Sequence, residues 1–80
     1  MTIGLDQLPP GSIVRVLHIE GNDGLSRRLS EMGFWPETSV TVLRRAPFGD
    51  PTLYHLRGFE LALRSGEAAR VIVDAAGSAG

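Results

Sequence analysis

The sequence predicts a mainly β protein, a small barrel of about five strands with one short α-helix after the first strand. Three observations indicate this class. The chain has only 80 residues, its β-branched and aromatic residues fall in short runs, and glycine or proline clusters separate those runs. One domain at most fits this length. Closing the strands into a barrel would remove the exposed edges that five open strands leave.

Each predicted strand is a short run in which Val, Ile, Leu, Phe or Tyr alternate or cluster. These runs cover residues 12–20, 38–45, 52–57, 59–64 and 70–74, and residues 65–69 have the pattern of one helical turn. Residues 3–74 are expected to form the domain. Residues 75–80 are small or glycine, so we expect a flexible tail there.

The single predicted helix covers residues 25–32. Leu25, Leu29 and Met32 stand at positions i, i+4 and i+7, which places one apolar stripe against a sheet. Asn22 or Asp23 can cap its first turn. Eight residues are too few for a stable isolated helix, so this one must pack on the strands.

The far end of this helix has a clear stop signal. Gly33 stands where a helix C-cap favours a left-handed residue. Trp35 follows and is expected to pack under the helix with part of its ring exposed. Glu37 comes directly after Pro36, so a turn that needs positive φ at that position is not expected.

Composition excludes several classes of protein. The net charge is −1 and all eight basic residues are Arg, whereas a nucleic-acid-binding domain normally carries a basic excess. No cysteine is present, so disulfides and thiolate metal sites are excluded. No basic, apolar leader starts the chain and no apolar run approaches about 18 residues. We therefore expect a cytoplasmic protein that neither inserts in a membrane nor binds nucleic acid.

Motifs for catalysis are missing from the sequence, so we do not expect an enzyme. The Gly21-x-x-Gly24 spacing precedes a helix, but it lacks the Gly-Lys-Ser/Thr of a phosphate-binding loop. A turn and a helix cap account for it. No serine lies in a Gly-x-Ser-x-Gly context.

Residues 45–51 are the strongest candidate for a partner-binding loop, with Arg45, Pro47, Phe48 and Asp50 as the candidate residues. Two prolines stiffen the loop, which lowers the entropy lost on docking. Phe48 lies among turn residues, and aromatic residues and Arg are frequent at binding hot spots. The alternative is that Phe48 folds back over a thin core.

Arg27 and Arg28 are two further partner-binding candidates. They lie on the helix face opposite the apolar stripe and could meet an acidic patch. The alternative is a solvated helix face without a partner.

His18, Glu20 and His55 are weak candidates for a metal site. His18 and Glu20 point to one face of a strand, and imidazole and carboxylate suit zinc or ferrous iron. Strand histidines that simply face solvent are the alternative. We predict no cofactor, with weak divalent metal binding at these residues left open.

The ordered signals together resemble the FeoA family, the small cytoplasmic component of bacterial ferrous-iron uptake. The resemblance runs from about Leu5 to Val73, through the helix end Leu-Ser-Glu-Met-Gly-Phe-Trp-Pro at residues 29–36. Its most specific stretches are Arg-Ala-Pro-Phe-Gly-Asp-Pro at residues 45–51 and Ala-Leu-Arg-Ser-Gly-Glu at residues 62–67.

This resemblance implies an SH3-like barrel and a partner, FeoB, the membrane permease with a cytoplasmic GTP-binding domain. The implied function is non-catalytic, namely binding the cytoplasmic part of FeoB and modulating its activity or assembly. The alternative is a metal- or ligand-sensing SH3-like module related to the C-terminal domain of iron-dependent repressors.

Overall fold

The structure is a computed structural model of the chain, and it describes residues 1–75. These residues form six β-strands, two α-helices and a short 3₁₀ turn, which agrees with the predicted mainly β class. The strands are β1 Thr2–Gly4, β2 Ile13–Ile19, β3 Ser39–Arg45, β4 Thr52–Leu56, β5 Phe59–Leu63 and β6 Val71–Asp74. The helices are α1 Gly24–Glu31 and α2 Ser65–Ala68, and the 3₁₀ turn is Leu5–Gln7.

All six strands belong to one antiparallel sheet in the order β1-β6-β2-β3-β4-β5. Irregular register between Val16 and His18 in β2, and between Val42 and Arg44 in β3, marks two bulges. Bulges bend a strand and increase its twist, so the sheet can wrap around a core. The predicted closure is not reached, because β1 and β5 stand at the two ends of the strand order.

Strand β1 was missed by the sequence prediction. It pairs with β6 from Thr2 opposite Asp74 to Gly4 opposite Ile72. Three residues are too few to show an alternation of apolar and polar side chains. The strand forms because β6 offers a free edge to pair with. The backbone N–H of Ala75 also bonds to the Met1 carbonyl at 2.8 Å, which extends the contact past β6. The predicted flexible tail otherwise lies outside the described residues.

The core is built from the inward-facing residues of alternating strand positions, to which α1 adds Leu29 and the 3₁₀ turn adds Leu5. At roughly 25 cal/mol per Å² of buried apolar surface, these side chains supply most of the folding free energy. The buried hydrophobic residues are Leu5, Leu8, Val14, Val16, Leu29, Phe34, Val40, Val42, Tyr54, Leu56, Leu63, Ala68, Val71 and Val73.

Both ends of α1 follow the local signals in the sequence. Asp23 is the N-cap, and its carboxylate accepts a hydrogen bond from the Ser26 N–H at 3.1 Å. At the other end Gly33 has φ 108°, and the Phe34 N–H bonds to the Leu29 carbonyl at 3.2 Å. This 6→1 bond identifies a Schellman motif, which turns the buried Phe34 back onto the helix.

The turn after α1 corrects one prediction. Glu37 has φ 75°, and the Thr38 N–H donates to the Trp35 carbonyl at 3.0 Å. Proline at the second position and positive φ at the third define a type II turn. The expectation that Glu37 excludes positive φ was therefore wrong. Tertiary contacts override the local preference, because the Glu37 N–H bonds to the Val16 carbonyl at 2.8 Å.

Candidate protein-interaction surfaces

The loop between β3 and β4 presents one aromatic side chain to solvent. Phe48 is 99% exposed, so the alternative in which it covers the core does not hold. The Gly49 N–H donates to the Ala46 carbonyl at 2.7 Å, and the Ala46 N–H donates to the Pro51 carbonyl at 2.9 Å. These bonds close the loop on itself and leave Phe48 at its tip.

Arg45 anchors one end of this loop and has little freedom to meet a partner. Its Nε donates to Thr52 Oγ1 at 2.8 Å, and its Nη2 donates to the Leu8 carbonyl at 2.9 Å. Charge-assisted bonds of this kind are stronger than neutral ones. Arg45 therefore ties β3 to the segment that contains the 3₁₀ turn.

Buried polar groups lie close to this anchor. The Tyr54 side chain is fully buried, and burial raises the pKa of its phenol above the ordinary value. Its Oη and the Asp6 Oδ1 are both buried without a hydrogen-bond partner among residues 1–75. Such atoms are commonly served by ordered water.

Asp50 anchors the other end of the loop. Its Oδ1 accepts a hydrogen bond from the Ser65 N–H at 2.9 Å, at the first residue of α2. Helix N-termini have free N–H groups, so Asp50 acts as a cap supplied from another part of the chain. Arg45 and Asp50 thus hold the loop in place, and Pro47 and Phe48 remain exposed at its tip.

Beside the loop lies a shallow concavity of about 250 Å³. Leu53 and Ala62, on neighbouring strands β4 and β5, form its apolar floor together with Pro47 and Pro51. The exposed Arg44 lies at its rim, and its side chain forms no hydrogen bond or ion pair with residues 1–75. Phe48 and this concavity together are called the Phe48 surface.

The structure separates Arg27 and Arg28, although both lie on the exposed side of α1. The Arg28 Nη2 is 3.8 Å from the Glu67 Oε2 of α2, in a solvent-exposed ion pair of small energetic value. Arg27 points into a different groove, together with Trp35. Neither arginine lines the concavity of the Phe48 surface.

Trp35 is a candidate interaction residue that the sequence prediction did not single out. Its ring is 44% exposed, so the expected packing under α1 holds only in part. The indole Nε1 donates to the Ser30 carbonyl at 2.7 Å, and the Arg57 guanidinium lies 3.9 Å from the ring centroid. A tryptophan between a helix C-cap and a proline turn is the signal that could have identified an exposed aromatic residue.

The three metal-site candidates do not come together. His18 and Glu20 lie at the end of β2, whereas His55 lies opposite Thr41, which in turn lies opposite Ile13. Ile13 precedes His18 by five residues, or about 16 Å of strand at roughly 3.3 Å per residue. Among residues 1–75, no group of three or more His, Cys, Asp or Glu side chains could hold a metal ion.

No helix within residues 1–75 has the length and apolar character needed to cross a bilayer. The longest of them, α1, has eight residues.

Solved structures identify the class of the fold first. FeoA from Stenotrophomonas maltophilia, a prokaryotic SH3 domain protein solved with zinc, is 36% identical with a TM-score of 0.84. That match covers 99% of this chain and 95% of the other. A FeoA-like protein from Clostridium acetobutylicum is 34% identical with a TM-score of 0.88, covering 92% and 86% of the two chains. The predicted SH3-like fold is confirmed.

The family follows from the sequence itself. The model of the FeoA domain matches residues 3–75, and the chain belongs to the FeoA family. A curated relative is the Fe(2+) transport protein A/Fe(2+) transporter FeoB fusion protein of Porphyromonas gingivalis, 31% identical over 70 residues. The match covers 88% of this chain and spans only 8% of the length of the fusion protein.

A more distant likeness bears on the fold alone. A manganese-dependent transcriptional repressor superposes with a TM-score of 0.82 at 20% identity, over 91% of this chain and 40% of the repressor. At this level of identity, the shared architecture carries no functional assignment.

Proposed function

We propose that this protein is a non-catalytic, cytoplasmic accessory protein of ferrous-iron transport that binds the cytoplasmic part of an FeoB-type permease. In this role it modulates the activity or the assembly of the permease. The observation that carries the proposal is the Porphyromonas gingivalis relative, in which a matching segment and an FeoB transporter share one chain. Fusion raises the effective concentration of two domains, which benefits domains that work in contact.

A domain that works beside a permease needs its own binding surface, and the Phe48 surface fits this need. Phe48 is a fully exposed aromatic side chain, and exposed aromatics of this kind act as anchors in interfaces. The Arg45 and Asp50 anchors hold the loop in one conformation, so docking costs little ordering entropy.

The charge of Arg44 indicates what kind of partner surface would bind this loop. Arg44 is exposed at the rim of the concavity, and its side chain has no partner within residues 1–75. A complementary surface would offer an apolar pocket for Phe48 and an acidic group for Arg44. The roles first assigned to Arg45 and Asp50 become indirect, since both hold the loop that carries Phe48.

Calorimetric titration against the isolated cytoplasmic domain of the permease tests the proposal, without nucleotide, with GDP and with GTP. We expect binding in at least one nucleotide state and a loss of about tenfold or more for Phe48→Ala. Ile13→Thr is the matched control, because Ile13 is 50% exposed on β2 and lies outside the loop. Equal losses for both variants would refute the Phe48 surface, and absence of binding in all three states would refute docking to this domain.

A metal-sensing role is the second candidate, favoured by the zinc in the Stenotrophomonas maltophilia FeoA structure. In this chain, the proposed weak ligands are His18 with Glu20 at one position and His55 at another, since the fold keeps them apart. Calorimetric titration with Zn²⁺ and Fe²⁺ compares the wild type with the His18→Ala/His55→Ala double variant. Unchanged binding in the double variant would exclude these ligands.

A further inference from the structure

A second groove lies between the end of β2 and α1, away from the loop that carries Phe48. It has a volume of about 430 Å³, within the range of about 300–1,000 Å³ typical of ligand sites. Ile19 and Pro36 supply apolar surface, Trp35 forms one wall, and Arg27 lies on the α1 side. This groove is called the Trp35 groove.

The Trp35 ring is held in place before any partner arrives. Its Nε1 bonds to the Ser30 carbonyl at 2.7 Å, and the Arg57 guanidinium stacks on the ring at 3.9 Å. The backbone around it is fixed by the helix C-cap at Gly33 and by the type II turn at Glu37. A fixed aromatic wall loses little conformational entropy on binding, which favours its use as an anchor.

The charges in the groove are not balanced. Asp23, the acidic residue at its edge, already pairs with Arg70 and accepts the Ser26 N–H bond. Arg27 is exposed, and its side chain forms no hydrogen bond or ion pair with residues 1–75. The unpaired charge of the groove is therefore positive.

The Trp35 groove and the Phe48 surface lie at opposite ends of β3. Trp35 precedes this strand and Phe48 follows it. Seven strand residues span about 23 Å at roughly 3.3 Å each. One partner segment of a few residues therefore cannot cover both, and the two can be occupied at once.

We propose that the Trp35 groove binds an acidic peptide segment with one large apolar side chain. The apolar side chain packs on Trp35, Ile19 and Pro36, and a neighbouring carboxylate pairs with Arg27. The unpaired charge of Arg27 favours this occupant over a basic or a proline-rich neutral segment, since neither would pair with it. This surface is distinct from the one proposed for the permease, so the protein can hold two partner segments together.

The test is an NMR titration of the uniformly ¹⁵N-labelled full chain with two synthetic probes. The acidic probe is the acetylated, amidated peptide Asp-Glu-Leu-Glu-Asp, and the basic probe has Lys in place of each acidic residue. With the acidic probe we expect shifts of the Trp35 indole N–H and of the Ile19 and Arg27 amides. We expect binding about tenfold weaker for the basic probe and progressive loss of acidic binding as salt is raised.

Variants assign the effect to the groove. Arg27→Gln keeps an exposed helix residue and should weaken acidic-probe binding about threefold or more. Arg44→Gln is the matched control and should leave it unchanged. Trp35→Ala should abolish saturable binding of the acidic probe. Phe48→Ala should leave the probe-induced shifts intact, and this result would distinguish the Trp35 groove from the Phe48 surface.

Four results would overturn the proposal. Shifts that map to residues 46–51 would place the probe on the Phe48 surface. Equal binding of both probes would show that the charge of Arg27 does not select the ligand. No shift at millimolar acidic probe would show that the groove does not bind it. Shifts of the Trp35 indole that depend on protein concentration without any probe would assign the groove to a second copy of this chain.

Discussion

The guanidinium of Arg70 joins the start of β6 to the turn that precedes α1 by binding Asp23. The Arg70 Nη2 pairs with the Asp23 Oδ1, and the Arg70 Nε donates to the Glu20 carbonyl at 3.0 Å. The same Asp23 Oδ1 accepts the Ser26 N–H and so caps α1. One arginine therefore positions both the helix and the edge of the Trp35 groove, across 47 residues of sequence.

Gly21 should be intolerant of a side chain, because Arg70 passes directly over it. Its φ is 89°, and a Cβ there would collide with the Arg70 guanidinium. Gly21→Ala is expected to lower the free energy of unfolding by about 1–3 kcal/mol. Gly24→Ala is the control, since nothing lies within 4 Å of a Cβ at this first residue of α1. It should stabilise by about 0.4–1 kcal/mol, and urea denaturation measures both.

The Asp23 charge should make stability depend on pH. The Ser26 N–H bond, and secondly Arg70, lower the pKa of the Asp23 carboxyl from its ordinary value of 3.8. A pKa that is lower in the folded state adds stability above pH 3.8, which is lost as pH falls through the lowered value. Asp23→Asn keeps a good N-cap but removes the charge, so it should be less stable than the wild type at pH 7.

This stability difference should shrink as pH falls below about 4, in thermal unfolding followed by circular dichroism. Glu60→Gln is the control, because Glu60 is exposed and has no ion-pair partner among residues 1–75. If the difference in stability between wild type and Asp23→Asn stayed constant as the pH fell below about 4, the assigned role of the Asp23 charge would be contradicted.

Glu37 should be replaceable by glycine with a gain in stability. An L-residue at φ 75° is strained by about 1–2 kcal/mol, and glycine is not. The exposed ion pair of Glu37 with Arg15 at 3.5 Å is worth little. Glu37→Gly is expected to stabilise by about 0.5–1 kcal/mol. Glu37→Ala removes the ion pair but keeps the Cβ, so a gain equal to that of glycine would refute backbone strain as the cause.

Arg45 should matter for stability, whereas its neighbour Arg44 should not. Arg45→Met removes the bonds to Thr52 and Leu8 and should cost about 2 kcal/mol, because bonds to charged groups contribute about 1.5–3 kcal/mol. Arg44→Met changes an exposed side chain and should stay within about 0.5 kcal/mol. Equal effects of the two variants in chemical denaturation would refute the anchoring role.

Signals between neighbouring residues account for most of the secondary structure that could be predicted from the sequence. Asp23, Gly33 and the Leu25–Leu29–Met32 stripe act within a few residues of one another, so the helix and its caps are readable from the sequence. The tight turn at Arg57 and Gly58 is of the same kind, since both residues adopt positive φ between β4 and β5. Strand β1 is different, because its pairing partner lies about 70 residues away.

The candidate surfaces also combine features set by neighbouring residues with features set by distant segments. The loop at residues 46–51 was visible in the sequence, because prolines and glycine mark it, whereas the exposure of Phe48 was not. The anchoring of Arg45 and Asp50 was not visible either, since their partners Leu8 and Ser65 lie in other segments.

The sequence by itself determined a mainly β domain of the FeoA family, with one capped helix, a neutral charge balance and a stiff loop. Those features depend on residue type and short-range spacing. Only the tertiary structure decided that Phe48 faces solvent, that Glu37 adopts positive φ, and that Trp35 and Arg27 share a groove. Each of these outcomes depends on which distant segments the curved sheet brings into contact, and no local pattern encodes that.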